Sequence, residues 1–342
     1  MNYSIRNLLW SVVVVVISIG VSGVASAEAE FKLRWGHYLG KGPFLEVEQD
    51  FAKKVEERTG GRVKIDITYA GGLGKGNEVM TLAGRGAIDI ASAPPSYYAE
   101  QLLYWKVFQM PFIFSSPEQA MDVLAKSLAE FPVYTEEMTK MNVIWLFQQP
   151  LGVYFLTGPG ADCDSIGGLK GKKIRSFGSS VPKAHAAIGA VPVSVRPVEV
   201  YEALQRGTID YSFLNAGNIQ QYKLFEPGKY SCGPIMAITG HNIVIGKRSF
   251  DKLPKDIQDI IVDQGKKSHA QYLAWLSAFE SKAVDSITKA GGVVKQFPSS
   301  ELNKWKAAAP DVLAVWVKDM EGRGQGEMAA KVAKRWRELT AK

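Results

Sequence analysis

From Phe31 onward, short apolar runs alternate with amphipathic stretches. Phe31 to Tyr38 reads as a strand, Pro43 to Arg58 carries apolar residues at helical spacing until Gly60-Gly61 closes the helix, and Val63 to Tyr69 alternates as a second strand. Val79, Leu82 and Ala83 then share one helical face. Gly84 and Gly86 end that helix, and Ala87 to Ala91 forms a short apolar strand that stops before Pro94-Pro95. The order is β-α-β-α-β. The same order returns later: Lys173 to Phe177 as a strand, Val181 to Ile188 as a helix, Val191 to Val195 as a strand, a helix over Val200 to Leu204 opened by Pro197, and a strand over Tyr211 to Leu214. Each unit predicts parallel strands with helices packed on the sheet.

The two units share a phrase. "EVMTLAGRGAIDI", Glu78 to Ile90, matches "EVYEALQRGTIDY", Glu199 to Tyr211, at Glu-Val, Arg-Gly and Ile-Asp with one constant spacing. Two matching α/β units imply two lobes whose strand ends face a shared cleft, because ligands of open α/β sheets bind outside the carboxyl ends of the strands. After Cys232 the pattern changes. Pro234 to Ile245 is apolar and strand-like, and from Pro254 to Ala290 no proline interrupts a helical stretch long enough to run along both lobes. Ser300 to Lys342 reads as further helix.

The amino terminus stands outside both units. Arg6, the apolar run Leu8 to Val21 and the small residues Ala25-Ser26-Ala27 form the pattern of a secretory signal peptide, with cleavage expected near Ala27 and export to the periplasm. The run is shorter than the ~20 residues of a spanning helix, and no cysteine sits near the cleavage point to carry a lipid. With 342 residues, 46% hydrophobic and 22% charged, the chain suits two globular lobes. Its net charge of +7 suits attraction to anions, yet no Lys/Arg block is dense enough for nucleic acid. Cys163 and Cys232 are the only cysteines and, after export, either pair or stay free. His37, His185, His241 and His269 show no metal-binding spacing, and no cofactor is expected.

Several phrases together carry a resemblance: "RVKIDITYAGGLGKGNEVMTLAGRGAIDIASAPPSYY", "GLKGKKIRSFGSS", "PVEVYEALQRGTIDYSF" and "SFDKLPKDIQDII", behind a signal peptide. In their order and spacing these resemble the periplasmic solute-binding subunits of TRAP transporters, the DctP family, over essentially the whole mature chain. The resemblance implies a two-lobed α/β periplasmic-binding-protein fold (type II-like), joined by hinge strands and a long spanning helix. It implies a monomer that is not an enzyme and that closes over a small organic acid before passing it to integral membrane subunits driven by an ion gradient. The lobes are expected to hold residues 28–150 plus about 241–280, and 151–240 plus about 281–342.

The family's carboxylate-binding arginine falls on Arg175, at the end of Leu169 to Arg175. A guanidinium offers a planar fork that fits a carboxylate and keeps its charge when dry; from the residues alone, Arg175 reads rather as a surface strand arginine, and it is the resemblance that reverses this. Some members carry a second arginine on the hinge strand, but "QPLGVYFLT" from Gln149 to Thr157 has none, and Tyr154 stands nearest to that contact. Where many members have Glu-Asn or Glu-Trp, this chain has Phe213-Leu214 followed by Asn215, which makes Asn215 a candidate donor and Phe213 an apolar wall. Tyr38 and Tyr97 follow strands whose ends face the cleft, and Phe177 follows Arg175. One cation among aromatics points to a monocarboxylate with an apolar or aromatic body.

Other readings weaken on inspection. "GGLGKG", Gly71 to Gly76, lacks the Ser or Thr and the spacing of a phosphate loop, and no GxSxG elbow supports a secreted hydrolase. A binding protein for an ABC-type importer or a sensor is the remaining alternative.

Overall fold

The first unit builds its sheet around Trp35. Strand β1 (Phe31–His37) pairs parallel with β2 (Val63–Thr68) on one side and β3 (Ile90–Ala93) on the other. Val47, Phe51, Ala52 and Val55 of the helix Glu46–Arg58 pack on it with Trp35, because their spacing keeps them on one helical face. The computed structural model describes residues 28–341, so the expected signal peptide, residues 1–27, lies outside the described residues. Among the described residues no helix is long and apolar enough to cross a membrane.

The remaining strands are β4 (Val143–Pro150), β5 (Tyr154–Gly158), β6 (Lys173–Ser176), β7 (Val191–Ser194), β8 (Ser212–Asn215), β9 (Tyr230–Gly233), β10 (Thr239–Gly246) and β11 (Val293–Gln296). The first lobe has the order β2-β1-β3-β10-β4. In the second, β7 and β6 pair in parallel, a single parallel bridge from Ile174 to Tyr211 leads to β8, and β8-β5-β9-β11 complete the sheet. Three parallel strands followed by an antiparallel one occur in both lobes. The antiparallel strand in each comes from a chain that has just crossed between lobes: β4 crosses to β5 through 151–153, and β9 to β10 through 234–238. The strand expected from Pro234 therefore starts only at Thr239. The segment before it pairs across the hinge instead, where Tyr154 N–H donates to the Met236 carbonyl at 2.9 Å and Ile235 N–H to the Tyr154 carbonyl at 3.0 Å.

The repeated phrase has a shared mechanical task. Gly86 (φ +74°) and Gly207 (φ +66°) leave their helices in the left-handed conformation that glycine adopts without strain. Ile88 and Ile209 are buried directly after. Asp89 and Asp210 then pin the new strand to the unit's first one: each carboxylate accepts a backbone N–H, from Arg34 at 2.8 Å and Lys173 at 2.7 Å, while each aspartate N–H returns a bond to that residue's carbonyl.

The long helix spans Lys255–Lys289, packing on helix Glu46–Arg58 and β4 in the first lobe and on helix Ala216–Gln221 and β11 in the second. The tail differs from expectation. About 281–342 is expected in the second lobe, but only the first part packs there: Ala283, Ile287 and Trp305 join its clusters, and Trp305 Nε1 donates to the Ala184 carbonyl. The helices Val312–Gly322 and Gly326–Thr340 cross back. Their Trp316 and Trp336 bury against the first lobe and bond the Leu103 carbonyl and Ser127 Oγ, because Tyr104, Phe108 and Phe114 expose an aromatic face there that needs cover.

Candidate functional site

Arg175 lies on β6 between Ile174 and Ser176, with β7 on one side and the chain leading into β8 on the other, and it is only 2% exposed. Neutral acceptors hold it: Nε donates to the Val195 carbonyl and Nη1 to the Phe213 carbonyl, each at 3.1 Å, and Nη2 reaches the Tyr97 hydroxyl of the opposite lobe at 3.3 Å. The Phe177 ring lies 4.8 Å from Cζ. Among the described residues no carboxylate stands within ion-pairing distance of this guanidinium.

Five of the seven residues singled out from the sequence meet around that cation. Tyr38, Tyr97, Tyr154, Arg175 and Phe177 line one interlobe cavity of about 20 Å³. Burial pushes the Tyr38 and Tyr154 phenols well above their ordinary pKa, so they stay protonated. The other two sit elsewhere. Phe213 turns its ring into the lobe core against Tyr154 and His185, and only its carbonyl serves Arg175; the strand's alternation brings Leu214 to the cavity instead. Asn215 is spent on the backbone, its Oδ1 capping helix Ala216–Gln221 by accepting the Asn218 N–H at 3.1 Å, while Asn218 itself lines the cavity. His185 adds no charge here: burial, and then the nearby Arg175, hold its pKa down to about 3.

Outward, the cavity opens to a cleft of about 310 Å³ that shares Tyr97 and Phe177 and adds Lys75, Asn77, Ser96, Ser194 and Arg196. The glycine-rich phrase thus supplies Lys75 to the cleft wall, a cation that sequence reasoning passed over, along with Arg196. Arg196 is already paired with Glu199. Cys163 and Cys232 form a disulfide, fully buried, with Cα atoms 5.7 Å apart.

Sequence reasoning also missed a second buried centre, directly behind Tyr38. Glu48, His37 and His241 are fully buried in the first lobe. Glu48 Oε2 accepts from Ser92 Oγ at 3.0 Å and lies 2.9 Å from His37 Nε2; Oε1 accepts from His241 Nε2 at 2.7 Å and from the Tyr272 hydroxyl of the long helix at 3.0 Å. A signal existed: Glu48 shares the buried helical face of Phe51, Ala52 and Val55, where an acid needs a partner. The three donor atoms lie within 4.8 Å of one another, a spacing compatible with a metal ion. The hydrogen bonds argue otherwise. Leu39 N–H donates to His37 Nδ1 at 3.0 Å, which puts the ring hydrogen on Nε2 facing Glu48, so that nitrogen has no lone pair to offer.

The match to known proteins agrees with this geometry. Residues 41–319 fit the model of the DctP family, bacterial extracellular solute-binding protein family 7. A solute-binding protein of Albidiferax ferrireducens is 26% identical over 265 residues, covering 76% of this chain and 77% of its own. Among solved structures, a TRAP periplasmic solute-binding protein of Chromohalobacter salexigens with bound D-glucuronate superimposes with a TM-score of 0.80 at 18% identity, over 90% of this chain and 99% of that one. A marine-metagenome TRAP solute-binding protein specific for aromatic acid ligands, in complex with metahydroxyphenylacetate, gives 0.80 at 22% identity, over 91% and 100%. These are binding proteins, not enzymes. Two lobes on crossing strands, a long spanning helix and a match over most of its length establish that this chain belongs to the DctP family of periplasmic solute-binding proteins of TRAP transporters.

Proposed function

We propose that the protein captures a monocarboxylate with an apolar or aromatic body in the periplasm, closes its lobes over it as a monomer, and delivers it to TRAP membrane subunits. The observation that carries this reading is Arg175: a buried guanidinium at the lobe interface, held by neutral acceptors, with no carboxylate beside it among the described residues. A buried charge without a counter-charge is costly, and a ligand carboxylate removes that cost. The surrounding phenols and Phe177 favour a flat or apolar body, in keeping with the aromatic acid bound by one structural neighbour. Closure is supported by bonds between lobes beyond Arg175–Tyr97: the Tyr222 hydroxyl accepts the Gly40 N–H at 3.0 Å, and Gln221 Nε2 donates to the Gly40 carbonyl at 2.8 Å.

Thermal-shift measurements on the mature protein with metahydroxyphenylacetate, D-glucuronate and succinate test the reading, since a ligand that binds only the folded state raises its apparent stability. The aromatic acid is expected to give the largest shift. If succinate does, the second charge is met by Lys75 or Arg196 in the outer cleft and the monocarboxylate reading is wrong. Small-angle scattering is expected to show a smaller radius with the binding acid than without.

A further inference from the structure

The buried centre behind Tyr38 touches the candidate ligand cavity through one hydrogen bond, from the Tyr38 hydroxyl to His241 Nδ1 at 3.3 Å. His241 Nε2 faces the Glu48 carboxylate, so the ring hydrogen of a neutral His241 resides there and Nδ1 is left as an acceptor. The Tyr38 hydrogen then points at His241, and Tyr38 turns only oxygen lone pairs toward the cavity. A carboxylate entering the cavity wants the reverse, because lone pairs facing an anion repel it. Tyr38 can turn its hydrogen to the ligand and still keep a hydrogen bond with His241 only if His241 gains a hydrogen on Nδ1, becoming an imidazolium that Glu48 stabilises from the other side.

We infer that the Glu48–His241–Tyr38 chain is a proton relay that makes Tyr38 a switchable donor, so that an anionic ligand is captured at Arg175 and Tyr38 together with uptake of one proton onto His241. The inference rests on the carboxylate reading above and adds a partner to it: the species bound is the acid anion plus a proton. The balance is simple. One N–H bond forms at Nδ1 from a solvent proton, Tyr38 rotates its O–H from His241 to the ligand, and no covalent bond to the ligand changes. The groups facing His241 are compatible with this: Glu48 from the helix Glu46–Arg58, Tyr272 from the long helix, His37 with its ring centroid 5.0 Å away, and Tyr38 with its centroid at 5.4 Å. Of these, Glu48 favours the imidazolium and His37 opposes it more weakly. Burial, the larger influence, lowers the His241 pKa, while Glu48 opposes the shift, which suits a ring that is neutral until an anion arrives. His37 cannot serve instead, because its Nδ1 accepts a backbone N–H that cannot turn away.

The test has a ligand-free arm and a ligand arm, both on the full mature chain. Without ligand, NMR of isotope-labelled histidine side-chain nitrogens at neutral pH is expected to read His241 as the neutral Nε2–H tautomer, with an Nδ1 resonance that shifts in Tyr38→Phe. A His241 already protonated on Nδ1, or no shift in Tyr38→Phe, overturns the inference whatever the ligand does. With ligand, calorimetry using metahydroxyphenylacetate or D-glucuronate in buffers of different ionisation enthalpy counts protons. Uptake approaching one proton is expected in the wild type and close to none in Tyr38→Phe, with wild-type affinity falling by up to roughly tenfold per pH unit above neutral. Equal proton counts in the two proteins overturn the relay. If neither acid binds, it is the carboxylate reading that fails, and the relay then stands or falls on the ligand-free spectra.

Discussion

Each lobe buries an ion close to the interlobe cavity, Glu48 on the helix Glu46–Arg58 and Arg175 on β6, and the two are treated in opposite ways. In the first lobe Glu48 accepts from three donors, the His241 imidazole and two hydroxyls, with His37 Nε2 2.9 Å from its other side, and these satisfy it within the fold. In the second lobe Arg175 has only carbonyls and a phenol, which bond it without cancelling its charge. The difference separates architecture from recognition. An ion whose needs are met internally contributes to holding the lobe together, whereas an ion left without counter-charge at an interface is a demand that a ligand can meet.

The largest effect that would sharpen this contrast is on binding. Arg175→Ala is expected to weaken acid binding by about 2–5 kcal/mol, the range for truncating one partner of a buried charged pair, while leaving the unfolding midpoint nearly unchanged. Near wild-type affinity by calorimetry would break the contrast at its centre. Next comes a covalent asymmetry, since only the second lobe is stapled. Replacing both Cys163 and Cys232 by Ser, which opens a loop of 69 residues, should lower stability by roughly 2–4 kcal/mol in denaturant titrations.

Glu48→Gln should act in the opposite sense to Arg175→Ala. An amide NH2 aimed at the hydrogens of His37, Ser92, His241 or Tyr272 leaves a donor unsatisfied, for an expected loss of about 1–3 kcal/mol in stability by urea unfolding. The pH dependence has a definite sign. Burial alone pushes the Glu48 carboxyl up, but the imidazoles and their hydrogen bonds overcome it and hold it well below the usual range. Its contribution is therefore present above the unfolded carboxyl value of about 4.3 and lost as pH falls through the folded value. The difference in stability between wild type and Glu48→Gln should shrink on acidification; a constant gap would show that Glu48 is not held as a carboxylate.

The smallest expected effects compare the two copies of the repeated phrase. Asp89→Ala and Asp210→Ala each remove a bond between parallel strands, at about 1 kcal/mol per bond. Asp89 also accepts from Ser249 Oγ at 2.6 Å, so its replacement should cost more. Equal losses in thermal unfolding would mean that the Ser249 contact contributes nothing.

Much of this was legible without coordinates because it is local. Helical spacing over Pro43 to Arg58, glycine exits at Gly86 and Gly207, and the strand from Lys173 depend on residues a few positions apart, and the structure has them within a few residues of expectation. The strand expected from Ala87 begins at Ile90 because Asp89 is occupied in bonding Arg34. The phrase ending in Arg175 pointed to the cation, and strand ends pointed to Tyr38 and Tyr97. What sequence left open was which face of a strand end meets the cavity: Phe213 and Asn215, two positions apart, share the face opposite Leu214 and turn inward, where ring packing and helix capping claim them.

Sequence by itself determined two α/β units, their matching grammar, and which short segments become helix or strand, since periodicity and turn chemistry act over one or two turns of chain. Only the tertiary structure decided which distant groups meet. Glu48 lies far along the chain from His241 and Tyr272, Trp336 returns to cover a surface laid down near Phe108, and Lys75 faces Arg196 across a cleft. No local pattern encodes such pairings. They follow from where two sheets and a spanning helix bring separated residues together, and burial then sets the charge state and hydrogen-bond direction of each one.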